Sequence, residues 1–228
     1  MKRILLAAAL ALAAGGQALA ADLPQPGPPP PRAPATYVPA PVPVFTWSGI
    51  YIGVNGGYGF GQSNWTNPAG STGNFSTDGF LVGGTIGGNY QWNQFVLGIE
   101  ADGDWTNLSG NVSCGPGLAF TCTTQGDWLA TVRGRAGYAF DRFLVYGTGG
   151  AAFGNLQAGS TGSFDTATQT GWTAGGGVEF AFTPNLTAKV EYLYVDLGSM
   201  TCNINCQFNT SVSLTENVVR AGINYKFW

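Results

Sequence analysis

The chain has 228 residues, of which 9% are charged, 36 are glycine and none is histidine, with a formal net charge of −3. That length admits one domain, or a small domain with a tail, and so little charge is unusual for a soluble globule. The acid excess leaves no basic footprint for nucleic acid, and the missing histidine removes the commonest general base and metal ligand.

Residues 1–20 read as an export signal. Lys2 and Arg3 precede the apolar run ILLAAALALAAGG, and Ala18-Leu19-Ala20 is a small-residue cleavage site. The run is too short to span a bilayer comfortably. The mature chain is therefore expected to begin at Ala21-Asp22. Residues 21–46 hold most of the prolines. Proline fixes φ and lacks a donor, so this segment reads as an extended spacer, reaching on the order of 75 Å at about 3.1 Å per residue.

From Trp47 to the end, alternation with period two dominates, which signals strands. Eight are expected, at 47–60, 79–91, 94–106, 126–140, 143–155, 169–182, 185–197 and 213–227. The links after the first, third, fifth and seventh are long and polar. The others are tight, at Trp92-Asn93, Asp141-Arg142 and Thr183-Pro184-Asn185. Long loops at one end and short turns at the other predict an all-β fold: an eight-stranded antiparallel transmembrane up-and-down β-barrel over 47–228.

The charges decide which face looks inward. Glu100, Asp102 and Asp104 share one face of the third strand, and Arg133 and Arg135 one face of the fourth. Glu179, Lys189, Glu191, Arg220 and Lys226 complete a set of acids and bases opposite the apolar stripes. Matched signs on strands, beside loops of Ser, Thr, Asn and Gly, predict a confined polar lumen, because an unpaired buried charge is very costly. Aromatics end the apolar face at many strands, among them Trp47, Tyr58, Trp92, Trp105, Tyr138, Trp172 and Tyr225. Two girdles of this kind are expected at the membrane interfaces.

Other chemistry is sparse. Cys114 and Cys122 fall in one long link, Cys202 and Cys206 in another. An oxidising compartment favours disulfides. Of three possible pairings, the local one, Cys114–Cys122 with Cys202–Cys206, is favoured over a four-thiolate metal site. The stretch DGDWT at Asp102–Thr106 lacks the glycine and glutamate of a calcium loop. GTGGAAFG lacks a phosphate-binding lysine. Without histidine no ordinary nucleophile–base pair exists, so neither enzyme activity nor a cofactor is expected.

The stretches WSGIYIGVNGGYGFG, GGTIGGNYQW, VRGRAGYAFDRFLVYGTGGAAFG, AKVEYLYVDLG and the final RAGINYKF jointly resemble the small porin-like outer-membrane β-barrel proteins of alphaproteobacteria, typified by Brucella major outer-membrane proteins. The resemblance runs from about Trp47 to the end, plus the signal and the Ala-Asp start. It implies an envelope-structural barrel of the Gram-negative outer membrane. It also implies that the amino group of Ala21, followed by Asp22, is a candidate for linkage to peptidoglycan. The chain departs from the family pattern in ending on Trp228 and in its four loop cysteines.

The expected partners are outer-membrane lipid, the barrel-assembly machinery and peptidoglycan. The assembly machinery would read the terminal stripe Ile223, Tyr225 and Phe227. Two alternative roles stand beside the structural one: surface adhesion or ligand binding through the long loops, and a narrow porin for small solutes.

Overall fold

Strands form here because successive side chains suit opposite surroundings, and only a period of two satisfies both. The computed structural model describes residues 27, 45–68, 70–114, 121–160, 163–202 and 210–227. Eight strands follow in chain order: β1 Gly49–Asn67, β2 Gly70–Trp92, β3 Phe95–Ser113, β4 Thr121–Phe140, β5 Phe143–Ser160, β6 Ser163–Ala181, β7 Leu186–Cys202 and β8 Thr210–Lys226. Each pairs antiparallel with its neighbour, and β1 pairs with β8 to close the barrel. Closure leaves no unpaired edge, as a lipid environment requires.

The outward side chains form an apolar belt. Ile52, Val54, Ile86, Leu97, Ile99, Val132, Val190 and Ile223 are all exposed. Aromatics bound it above at Tyr58, Phe80, Trp105 and Trp172, and below at Trp92, Phe95, Phe140, Phe182 and Tyr225. Between Phe95 and Trp105 a strand advances about 33 Å, which at a tilt of about 40° gives a belt about 25 Å high.

The strands are longer than their pattern suggested. β1 runs to Asn67 and β2 begins at Gly70, so most of the expected first long loop is paired strand. β3, β4, β7 and β8 also continue past the belt. The reason is a change of polarity beyond the belt, clearest on β8. On β8 within the belt, Arg220 and Asn224 point inward while Val219 and Ile223 point outward. Beyond the belt Val212 and Leu214 point inward and Ser211, Ser213 and Thr215 outward. Outside the membrane an outward face can meet water, so the apolar stripe moves to the inside. A reading that follows one stripe stops where the stripe changes sides.

The short-turn end is tightly built. Asn93 and Asp141 take φ of 54°, a left-handed conformation that Asn and Asp tolerate in two-residue hairpin turns. In the β6–β7 turn the Thr183 hydroxyl accepts hydrogen bonds from the backbone N–H groups of Asn185 and Leu186. Inward glycines leave room for large lumen side chains: a Cβ at Gly87 would meet the Tyr51 ring, and one at Gly177 the Tyr146 hydroxyl.

Trp47 is a correction to the expected girdle. It is only 2% exposed and packs under the barrel, not against lipid. It precedes β1, so the alternation of that strand does not govern it.

At the other terminus Tyr225 and Phe227 are exposed and meet edge to face, and the Phe227 N–H donates to the Ile50 carbonyl. Trp228 lies outside the described residues. Phe227→Ala should lower the yield of heat-modifiable, folded barrel in outer membranes, and deletion of Trp228 should change it little. Equal defects on gels of unheated samples would put the recognition stripe in the wrong phase.

Candidate functional site: the lumen of the barrel

Alternate residues of β3, β4, β6, β7 and β8 carry the charges into the interior. All ten residues of the expected set are buried, from Arg133 at 1% exposed to Asp102 and Lys226 at 6%. Backbone register makes Glu100 the neighbour of Arg133, and Glu191 the neighbour of Arg220. Side-chain reach then links strands that do not touch in the sheet.

Two arginines hold the centre. Arg133 reaches Glu100 at 2.6 Å, Asp102 at 2.8 Å and Glu191 at 3.1 Å. Arg220 reaches Glu191 at 2.6 Å, Asp102 at 2.7 Å and Asp104 at 2.8 Å. Lys189 sits 2.8 Å from Glu100. Arg135 pairs with Glu179 at 2.7 Å, although Glu179 faces Lys189 in the ladder. The planar fork of arginine explains its place at these multiple contacts, since its donors point to several carboxylates at once.

Neutral groups complete the network, and the sequence reading did not single them out. The Tyr51 hydroxyl donates to Glu100 at 2.8 Å and accepts from Arg135 at 2.8 Å. The Arg135 guanidinium lies 3.9 Å from the centre of the Tyr146 ring. Thr131 and Thr85 donate to Asp102, and Thr187 and Asn224 to Glu179. Tyr51 and Tyr146 were legible only as inward phases of β1 and β5, strands without inward charges. Glu216 is a further missed acid. It points inward on β8, 7% exposed, between Leu214 and Val218.

Lys226 does not join the others. Its ammonium donates to the Thr46 carbonyl and lies 4.7 Å from the centre of the Phe45 ring. The central network therefore sets four cations (Arg133, Arg135, Lys189, Arg220) against five carboxylates (Glu100, Asp102, Asp104, Glu179, Glu191). Asp104 has Arg220 as its one ion-pair partner among the described residues, and its second oxygen has no hydrogen bond.

Apolar layers lie on both sides of the charges. Toward the short turns, Trp47, Val96, Ala139, Leu144 and Ala181 pack together. Toward the other end, Leu108, Leu156, Leu193, Val195, Met200 and Leu214 do so. The oxygens of Glu100, Asp102 and Glu191 come within 4.8 Å of one another. Guanidinium groups already lie between them, so the positive charge such a trio needs is supplied by the chain itself.

Cys114 and Cys122 form a disulfide joining the end of β3 to the start of β4. Cys202 is buried at the end of β7. Its expected partner Cys206 lies outside the described residues, as do Ala21, Asp22 and the expected signal segment.

A closed ring of eight antiparallel strands, charged within and apolar without, is the architecture of an outer-membrane barrel. Residues 31–227 match the family described as outer membrane protein beta-barrel domain. The chain belongs to that family. A 31 kDa outer-membrane immunogenic protein of Brucella melitensis is 38% identical, over 80% of this chain and 85% of that protein. A 22 kDa outer membrane protein of Rhizobium leguminosarum is 35% identical, over 80% and 79%. Among solved structures, the outer membrane protein OprG from Pseudomonas aeruginosa has the same fold, with a TM-score of 0.51 at 16% identity, covering 79% of this chain and 96% of that one. This outer-membrane barrel therefore resides in the outer membrane of a Gram-negative bacterium.

Proposed function

We propose that the barrel serves as a structural element of the envelope, with a closed lumen, joined to the cell wall through the amino group of Ala21. One observation carries the structural reading: buried side chains occupy the lumen in three layers, a charge network between two apolar clusters. Eight strands enclose a space that side chains just fill, and paired charges cross-link strands that share no backbone hydrogen bonds. The arrangement favours rigidity over passage of solute. Single-channel recording of the purified barrel in planar bilayers should give no stable, ion-selective conductance, and a reproducible pore would overturn the reading in favour of a narrow porin.

The tether rests on the Ala21-Asp22 start and the proline-rich residues that follow. Mass spectrometry of N-terminal peptides from lysozyme-digested envelopes should find Ala21 carrying a muropeptide. A free amine in every molecule removes the tether and leaves the structural role standing.

A second reading, binding of an external partner, is favoured by the strand extension beyond the belt, whose outward face carries Gln62, Asn64, Ser71 and Asn74. The Brucella relatives are named as immunogenic proteins. Replacing this extension by short turns and measuring cell attachment separates the two roles.

A further inference from the structure

The residues just before β1 do more than lead into it. The Trp47 backbone N–H donates to the Gln91 side-chain oxygen at 2.7 Å. Its indole N–H donates to the Asp141 carbonyl at 3.0 Å. The Gln91 N–H in turn donates to the Ser48 hydroxyl at 2.9 Å. Phe45 meets Trp47 edge to face, with ring centres 5.2 Å apart. The Lys226 ammonium lies over Phe45 and donates to Thr46.

These contacts span the mouth. Gln91 is the penultimate residue of β2, Asp141 belongs to the β4–β5 turn and Lys226 ends β8. In a closed ring of eight, the β4–β5 turn stands opposite the β1–β8 seam. Tyr51↔Lys226 is the last register pair of that seam at this end. Four residues thus fasten the seam to the far side of the barrel, with the indole seated on Ala139, Leu144 and Ala181.

We propose that Phe45–Ser48 is a clasp that locks the β1–β8 seam at its short-turn end and takes any pull arriving along the preceding chain. The geometry of loading is the reason. A pull applied to the end of β1 would open its ladder to β8 one hydrogen bond at a time. A pull applied upstream of Phe45 must instead unseat the buried Trp47 indole, the backbone and indole hydrogen bonds of Trp47 and the Lys226–Phe45 cation–π contact together. The assignment of a pull to this chain rests on the tether reading, and the clasp itself does not. It also accounts for Lys226 standing apart from the central network, since its charge is used at the seam.

Single-molecule force spectroscopy tests this on the mature protein in lipid bilayers, pulled from its N-terminus. The wild type should give a rupture event before the first strand is extracted. Trp47→Ala should lose that event and keep the later strand-extraction forces. Gln91→Ala, which removes the acceptor for the Trp47 N–H and leaves the apolar seat intact, should lower its force. It also serves as the test variant should Trp47→Ala fail to fold. Curves from a folded variant that superimpose on the wild type would overturn the clasp. A free Ala21 amine in envelopes would remove the tether without touching this result.

Discussion

Replacing Arg220 by methionine should destabilise the barrel by about 3–5 kcal/mol, the usual cost of removing one partner from a buried ion pair. Arg220 is the severe choice because its three carboxylates are not equally provided for. Asp102 keeps Arg133, and Glu191 keeps Arg133 and Lys189. Asp104 keeps no cation among the described residues, having paired only with Arg220. The loss should therefore be concentrated at Asp104. Adding Asp104→Asn to the methionine variant removes the stranded charge and should recover a substantial part of the stability. Arg133→Met should cost less than Arg220→Met, since Glu100, Asp102 and Glu191 each retain another cation. Urea unfolding in lipid vesicles, followed by tryptophan fluorescence, measures all four proteins. If the double variant is no more stable than Arg220→Met, Asp104 is not where the energy lies. Contacts between the two sites make non-additivity the expected result.

Ile99→Lys should cost about 2–4 kcal/mol, whereas Ser211→Lys should stay within about 0.5 kcal/mol of wild type. Both positions are exposed and outward-facing on their strands. Ile99 lies mid-belt between Phe95 and Trp105, where a lysine must bring its charge into hydrocarbon. Ser211 pairs with Thr66 on one side and Thr201 on the other, beyond the upper aromatics, where a lysine meets water. The same unfolding assay compares them. Equal costs would mean that the belt does not end where the polarity of the strands reverses.

That reversal also explains how much of the fold was legible. Within the belt, apolar residues alternate with charges or glycine, and the eight strand positions follow. Beyond it, stretches such as Gln62–Asn67 and Ser71–Asp78 carry hydroxyls and amides outward, with Ser63, Trp65, Phe75 and Thr77 inward. Alternation persists there in burial but not in polarity, and so it resembled loop. Trp47 failed for another reason. It sits outside the strand whose phase would have assigned it, and its seat is made by β3, β4, β5 and β6.

The inward face of the charges followed from the residues alone, because so few cations have so few acceptable places. The barrel region holds six lysines and arginines, and Arg142 in a turn is the one that the lumen does not bury. A sequence period of two, a balance of sign and a shortage of charge elsewhere were enough to decide fold class, strand count and which side faces lipid. Partnership was decided by the tertiary structure. Register alone would pair Glu179 with Lys189, but Arg135 reaches it past the intervening β5; Lys226 matched the other charges in kind and was drawn to Phe45 and Thr46. Side-chain contact inside a closed ring depends on strand tilt, on stagger and on the space that glycines leave, and none of these is a property of one strand read by itself.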